Sequence, residues 1–165
     1  MKPGVFLAKK TDGTTYFRSS FTYKNKHISL GSFSSEEMAY SAYNEALSLA
    51  GDMSVSLYDY NKKKHVLNFK KWVSIINFRD NGLYFKTPIY LKKKYFEYYL
   101  DEDTALKFDA DDLFYYSTHS IMKRGGHYFV SDYGMQVNIL NRYGIKNFAV
   151  AGKDYRFVNG DSTDF

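Results

Sequence analysis

The chain has 165 residues, enough for one ordinary domain or two very small ones, and its hydrophobic content of 44% excludes a wholly disordered protein. It contains no cysteine, which excludes disulfide frameworks, cysteine-based zinc sites and a thiol nucleophile. The net charge of +5 is a moderate basic bias, and 17 Tyr with 14 Phe favour β-rich packing. Because neither a signal peptide nor a run of about 18 apolar residues is found, we expect a cytoplasmic protein that makes no membrane contact.

The first third of the chain predicts three antiparallel strands. A short strand at residues 5–8 is followed by an Asp-Gly turn at residues 11–14, which suits a tight hairpin. The second strand is expected at residues 16–23. After a turn at residues 24–26, a third strand is expected at residues 27–30. Alternation places Phe17, Ser19 and Phe21 on the same face as Ile28 and Leu30.

A helix is predicted to follow these strands. Ser34 is expected to be its N-cap, Glu37 to complete a capping box and Gly51 to end the helix. Small or aromatic residues recur at helical spacing: Ala39, Ala42, Tyr43, Ala46 and Ala50. The resulting β-β-β-α unit would have one sheet face covered by the helix and the other face open.

The open face of the predicted sheet is a candidate nucleic-acid surface. It would present Arg18, Ser20, Thr22, His27 and Ser29, with Lys9, Lys10, Lys24 and Lys26 around them. Arginine can contact guanine edges, hydroxyls can bond bases or phosphates, and lysine can neutralise the DNA backbone. An ordinary polar, solvent-facing side of an antiparallel sheet is the alternative, and the residue pattern alone does not separate the two.

Short motifs run through residues 4–51 in a fixed order. They are Gly4-Val5, Leu30-Gly31-Ser32-Phe33, Ser35-Glu36-Glu37, Ala39 and Ala42-Tyr43-Asn44-Glu45-Ala46. This pattern resembles the ethylene-response-factor (APETALA-two) DNA-binding domain and its relatives in phage integrases and homing endonucleases. The resemblance implies that the open face enters the major groove of double-stranded DNA, with base-contacting positions at Ser20, Thr22, His27 and Ser29. Because that family usually has charged residues or Trp there, Arg18 and the lysines are the stronger candidates for contact.

The rest of the chain is predicted to be mostly β. Residues 66–78 fit a helix or a strand, and the following Asp-Asn-Gly turn favours a strand at residues 72–78. Further strands are expected at residues 83–87, 89–99, 115–122 and 127–130, with a loop or short turn at residues 108–113 and a short helix at residues 138–143. The fold class is therefore α+β, a three-stranded antiparallel sheet packed on one helix and then a mostly β second domain with short helices. We expect a DNA-binding domain at residues 1–52, a basic linker at 53–66 and a β-rich domain at 67–165.

The end of the chain carries a second resemblance. Residues 157–164, Phe-Val-Asn-Gly-Asp-Ser-Thr-Asp, are similar to the His-Ile-Asn-Gly-Asp-x-x-Asp segment of HNH homing endonucleases. Those nucleases need the His to activate water and further groups to hold a divalent metal. Here Phe157 stands at the position of the His, and Asn141-Arg142 aligns with the preceding His-Arg pair. The resemblance implies a non-catalytic relative from a phage or mobile element, with no metal and no cofactor.

His119 and His127 are expected to lie roughly opposite each other across the hairpin around Gly125-Gly126. Two imidazoles without a carboxylate at a defined spacing make a poor metal site. Ordinary polar strand residues are therefore the favoured interpretation of both histidines.

Two functions fit these patterns. The first is a non-catalytic, phage-type DNA-binding protein that places its N-terminal sheet against duplex DNA. The alternative is a phage anti-defence protein, an anti-CRISPR-like inhibitor that binds a host defence nuclease. Its partner surface would be the acidic stretch, which would occupy the path of the phosphates: Asp101, Glu102, Asp103, Asp109, Asp111 and Asp112. The plainer interpretation of that stretch is a set of solvated turns.

Overall fold

Three antiparallel sheets and three helices make up the part of the chain that the computed structural model describes, residues 2–124, 127–132 and 135–138. This architecture confirms the predicted α+β class. The predicted helix at residues 138–143 lies outside the described residues, except that Asn138 ends the last described strand. The HNH-like segment at residues 157–164 also lies outside them. No helix in the described part has the length and apolar character needed to cross a bilayer.

The N-terminal sheet has the predicted strands in the order β1-β2-β3. Its strands are β1 (Val5–Lys9), β2 (Thr15–Tyr23) and β3 (Lys26–Phe33), each antiparallel to its neighbour. The first turn contains Gly13 at a φ of +92°, a value that an Asp-Gly turn supplies without strain. Local sequence signals therefore set both hairpins.

A β-bulge in β3 changes which residues face the core. Ser19 pairs with Gly31, and the next pair along the ladder skips Leu30. Gly31 has a φ of +118°, which few other residues adopt. Leu30 and Phe33 are three positions apart and both pack in the core, which simple alternation along a strand would not allow.

Helix α1 (Glu36–Gly51) covers one face of this sheet, as predicted. Its N-cap is Ser35, whose Oγ accepts the Met38 N–H at 3.2 Å. The predicted cap at Ser34 is one residue early, and the expected capping box with Glu37 does not form because Met38 occupies the third helical position. The side that meets the sheet is small and fully buried, which permits close packing: Ala39, Ala42 and Ala46.

The largest correction concerns helix α2 (Phe69–Asn81), because a strand is predicted at residues 72–78. Asn68 caps the start of this helix, and Gly82 ends it at a φ of +78°. Residues 72–79 are all buried, since α2 lies between α1 and the second sheet. A helix buried on every side lacks the 3.6-residue periodicity of an amphipathic helix, so its apolar run resembles that of a strand.

The second sheet contains β4 (Ile89–Leu91), β5 (Tyr95–Asp101) and β6 (Thr104–Asp109) in that order. The predicted strand at residues 89–99 is therefore divided by a turn. Residues 83–87, which are predicted as a strand, form a loop that returns the chain from α2.

The third sheet follows helix α3 (Leu113–Thr118). It contains β7 (Ile121–Arg124), β8 (His127–Asp132) and β9 (Met135–Asn138). The hairpin between β7 and β8 is confirmed. The first half of the predicted strand at residues 115–122 is helical instead.

Two hydrophobic cores organise these elements. The first joins the N-terminal sheet, both long helices and one face of β5, and the second lies between the other face of β5, α3 and the third sheet. The division into residues 1–52, 53–66 and 67–165 stays a prediction. The first core nevertheless contains buried side chains from all three parts, among them Phe21, Leu57 and Trp72.

Arg79 fastens α2 to the C-terminal end of α1. This side chain is almost fully buried, and its Nη1 donates to the carbonyl oxygens of Leu49 at 3.1 Å and Asp52 at 2.8 Å. Its Nη2 donates to the Val55 carbonyl at 2.8 Å, and its Nε to Oδ1 of Asp80 at 2.8 Å. The last carbonyls of a helix lack partners within it, and α1 has no basic residue in its last turn, so the guanidinium supplies the missing donors.

We expect Arg79→Ala to lower the free energy of unfolding by about 3 kcal/mol, because it leaves buried carbonyls without donors. Arg79→Lys should lose much of the same energy, since an ammonium cannot reproduce the planar fork. Urea unfolding followed by circular dichroism measures both. As a control, Arg18→Ala at an exposed strand position should change stability by no more than about 0.5 kcal/mol. A loss no larger than that for Arg79→Ala would contradict this account.

Tyr90 of β4 joins the second sheet to α2. Its hydroxyl donates to Oδ2 of Asp80 at 2.9 Å. Burial, followed by this bond to a carboxylate, raises the pKa of Tyr90 from 10.0 to about 12. Burial also raises the pKa of other tyrosines: Tyr60, Tyr98, Tyr99 and Tyr128.

Stability should therefore fall at alkaline pH. An unfolded tyrosine loses its proton near pH 10, whereas folded Tyr90 keeps its proton until about pH 12, so the native state binds more protons in this window and is destabilised as pH rises. We expect the urea midpoint to drop between about pH 9 and about pH 11.5, and Tyr90→Phe to make that drop shallower. An identical pH profile for the variant would show that Tyr90 contributes nothing to it.

Candidate nucleic-acid interface

The open face of the N-terminal sheet, on the side opposite α1, is exposed along its centre. Phe6, Arg18 and Ser32 pair across all three strands, and each of them is exposed, Phe6 to 55%. A second exposed row is formed by Thr22 and His27, which pair across β2 and β3. Since Thr22 is four positions after Arg18 along β2, the two rows lie about 13 Å apart.

Tyr16 holds the guanidinium of Arg18 on this face. The Nη2 of Arg18 donates to the Tyr16 hydroxyl oxygen at 2.9 Å, and the guanidinium carbon lies 5.6 Å from the ring centroid. Residues two apart in a strand share a face, so the contact orients the fork without help from another element. No other hydrogen bond of Arg18 is found in the part of the chain that the structure describes, and its remaining donors are available to a ligand.

The net positive charge of the sequence falls in the segment that forms this sheet. Residues 1–34 contain six Lys or Arg and one carboxylate, Asp12, a local net charge of +5 that equals the charge of the whole chain. Oδ1 of Asp12 accepts the Thr14 hydroxyl at 2.6 Å and the Thr14 N–H at 2.9 Å, and these bonds lower the pKa of Asp12. Lys9 and Lys10 are both exposed beside this turn, and alternation along β1 places Lys10 on the side of the open face and Lys9 on the opposite side.

Eight of the nine predicted contact residues are exposed, and Ser20 is not. It is only 7% exposed, because the N-terminal segment lies against it. The Ser20 N–H donates to the Gly4 carbonyl at 2.9 Å, and a Cβ on Gly4 would lie 2.6 Å from the Ser20 carbonyl oxygen and 2.2 Å from the ring of Tyr43. The prediction that Ser20 lies on the open surface is therefore wrong. Ser29, its partner in β3, is exposed.

Lys24 and Lys26 do not lie at the rim of the open face, where they are predicted. The Nζ of Lys24 donates to the carbonyl oxygens of Phe78 and Arg79, both at 3.2 Å. These carbonyls are at the C-terminal end of α2, where the helix dipole favours a cation. The Nζ of Lys26 lies 5.5 Å from the ring centroid of Tyr84, in the loop after α2.

We expect Lys24→Ala to lower the free energy of unfolding by about 1 kcal/mol, because it removes two bonds to helix-end carbonyls. The DNA affinity of the folded protein should stay within about twofold of wild type. Lys10→Ala, an exposed lysine on the side of Phe6 and Ala8, is the matched variant and should show the reverse, with unchanged stability and weaker DNA binding. Urea unfolding and fluorescence anisotropy measure the two effects. Weaker DNA binding by Lys24→Ala at unchanged stability would restore this lysine to the DNA interface.

The acidic stretch does not form one surface. Residues 101–103 are exposed at the turn between β5 and β6, whereas Asp109 ends β6, where its Oδ1 accepts the Asp111 N–H at 3.0 Å. The length of β6 separates the two groups by about 17 Å. Asp112 is buried, at 7% exposure. The predicted six-residue partner surface is thus divided, and binding to a host defence nuclease stays a prediction that this arrangement does not favour.

A cavity of about 440 Å³ lies between α1 and the segment that follows it. Its lining includes Glu45, Asp52, Asp59, His65 and Trp72. Both oxygens of Glu45 accept the Val66 N–H, at 3.0 and 2.8 Å, and the two aspartates accept N–H groups two or three residues away. These carboxylates therefore hold the segment in place. In the described part of the chain, no group of three or more His, Asp or Glu is placed to hold a metal ion.

His119 ends α3 and does not lie opposite His127. Its ring stacks on Tyr115 with centroids 4.1 Å apart, and its Nδ1 lies 2.7 Å from the Tyr115 carbonyl oxygen. The register of the hairpin pairs His127 with Arg124 instead. The predicted approach of the two histidines is therefore wrong.

Phe6, Tyr16 and Ser32 also belong to the open face and are not among its predicted residues. Alternation with buried Val5 and exposed Arg18 is the signal that places Phe6 and Tyr16 outward. No such signal exists for Ser32. Alternation from buried Leu30 would place Ser32 in the core, whereas the β-bulge turns its side chain to the open face.

The chain matches no protein-family model, no curated protein and no solved structure. The resemblance of residues 4–51 to a DNA-binding domain therefore stays an expectation. The geometry and charge of the open face are the structural observations that bear on function.

Proposed function

We propose that this protein binds double-stranded DNA through the open face of its N-terminal sheet and does not cut it. The observation that carries the proposal is the position of Arg18. Its guanidinium is exposed at the centre of a three-strand row and oriented by Tyr16, and Lys10 is exposed at the end of the same sheet.

The dimensions of the sheet suit a major groove. Three strands spaced by about 4.8 Å span roughly 10 Å, and the major groove of B-DNA is about 12 Å wide. In such a position Arg18 can donate in bidentate fashion to O6 and N7 of guanine, and Phe6 can contact a thymine methyl group. The hydroxyls of Ser29 and Ser32 can bond bases or phosphates.

The phosphate contacts of this face are few. Lys9 and Lys10 lie at one end of β1, whereas Lys24 is occupied by α2. Two or three phosphate contacts correspond to a salt slope of about −2 to −3 on a double logarithmic plot. The open face alone therefore gives moderate affinity.

The resemblance of residues 4–51 to the ethylene-response-factor domain supports the same orientation of the sheet and an origin in a phage or mobile element. Phe157 and Asn141-Arg142 stand where HNH nucleases have catalytic histidines, which supports binding without cleavage. The site of action would then be the host cytoplasm.

The direct test is fluorescence anisotropy with a mixed-sequence duplex of about 20 base pairs at several salt concentrations, with and without Mg²⁺. We expect micromolar or tighter binding at low salt, weakening as salt rises, with the DNA recovered intact. Absence of binding at the lowest salt concentration would overturn the proposal. Cleavage that requires Mg²⁺ would overturn its non-catalytic part.

Arg18→Ala should weaken binding by about tenfold or more, because a bidentate contact to guanine contributes about 1–3 kcal/mol. Arg18→Lys keeps the charge but not the fork, so it should keep the salt slope and lose preference among sequences. Anisotropy with duplexes that differ at single guanines measures both effects. If Arg18→Ala binds as tightly as wild type, the open face is not the interface.

A further inference from the structure

A second basic groove lies outside the open face and has a volume of about 540 Å³. The residues that form this Tyr84 groove include Lys26, Tyr84, Lys86, Ser117, Thr118 and Ser120. They come from the start of β3, the loop after α2 and the end of α3. No carboxylate is among the described residues that line it.

Lys71 of α2 brings a second ammonium group to Tyr84, beside that of Lys26. Its Nζ donates to the Tyr84 hydroxyl oxygen at 2.8 Å, while the Nζ of Lys26 lies 5.5 Å from the ring centroid. The Nζ of Lys71 is also 5.5 Å from that centroid, which reflects its place at the hydroxyl end of the ring. The two ammonium groups are therefore at most 11 Å apart.

Among the residues that the structure describes, no carboxylate forms an ion pair with these ammonium groups. The ion pairs found in the described ranges join Arg79 to Asp80 and Lys92 to Glu97, and neither includes a lysine of the groove. Like charges gathered without a carboxylate repel one another, and an anion placed between them would relieve that repulsion.

Of the hydroxyl groups of Ser117, Thr118 and Tyr84, only that of Tyr84 keeps a proton to donate to an anion. Ser117 donates its hydroxyl proton to the Phe114 carbonyl at 2.8 Å, and Thr118 Oγ1 lies 3.2 Å from the Tyr115 carbonyl, so the helix already uses these donors. Tyr84 accepts from Lys71 and can still donate its own proton outward. Lys26, Lys86 and the Tyr84 phenol line the groove and can thus provide charge-assisted bonds to phosphate oxygens.

We propose that the Tyr84 groove is a second phosphate-binding site for the DNA held by the open face, an inference that rests on the proposed function. Lys26 and His27 are consecutive in β3, so their side chains point to opposite sides of the sheet. His27 belongs to the open face and Lys26 to the groove. Both residues stand beside the turn between β2 and β3, so a phosphodiester backbone that passes this turn would lie next to the open face and to the mouth of the groove.

The test compares substitutions in the groove with a matched lysine elsewhere, using the full chain and the duplex anisotropy assay. Lys86→Ala should weaken binding about fivefold at low salt and reduce the salt slope by about 1, because one phosphate contact is lost. Tyr84→Phe removes a donor without changing charge, so affinity should fall about threefold with the slope unchanged. Lys93→Ala removes an exposed lysine from the turn between β4 and β5 and should change neither quantity.

The outcomes separate the groove from the open face. If Arg18→Ala weakens binding while both groove variants bind as wild type, the groove inference is overturned and the proposed function stands. An equal loss in Lys93→Ala would indicate a general charge effect and would also overturn the inference. If the wild-type protein does not bind the duplex, both proposals fail. Chemical-shift changes at Tyr84 and Lys86 with inorganic phosphate, without any effect of the variants on DNA binding, would assign the groove to a free anion instead.

Discussion

The arrangement of the chain depends on how two helix ends obtain hydrogen-bond donors. The C-terminal carbonyls of α1 are satisfied by the buried guanidinium of Arg79, which belongs to α2. The C-terminal carbonyls of α2 are satisfied in turn by Lys24, from the turn between β2 and β3. Each helix is thus capped by a cation from another element, and the two caps lock the hairpin, α1 and α2 together.

These contacts lie on one side of the N-terminal sheet, and the residues along the centre of its other side stay exposed. The same arrangement explains why the open face carries fewer cations than the sequence suggests, since Lys24 is used for structure and Lys26 faces the Tyr84 groove. The proposed DNA recognition at the open face would then depend on Arg18 and on contacts of its neighbours with bases. In that proposal, phosphate contacts are shared with the Tyr84 groove, which joins Lys26 to residues from the loop after α2 and from the end of α3.

Local signals account for the elements that the sequence could predict. The Asp-Gly turn, the alternation in β2 and the small face of α1 act within a few residues, so the β-β-β-α unit and its open face follow from them. Helix α2 could not be predicted, because burial on all sides removes its periodicity. Ser20 and Lys24 could not be placed either, since their positions depend on contacts with Gly4 and with the end of α2. The predicted acidic surface could not be assessed from sequence either, because Asp103 and Asp109 stand at opposite ends of β6.

The distribution of charge connects these observations. Residues 35–165 contain 17 basic and 17 acidic residues, so the net charge of the second part is zero. Some of this balance is local, because Lys62 and Lys70 line the same cavity as residues 101–103 and the basic run after α1 therefore faces the acidic turn. Among the described residues, the basic side chains of the N-terminal sheet and of the Tyr84 groove have no ion-paired carboxylate, and the two surfaces meet at Lys26 and His27. An anion as long as a nucleic-acid strand can neutralise both surfaces at once, whereas a small anion can neutralise only one of them.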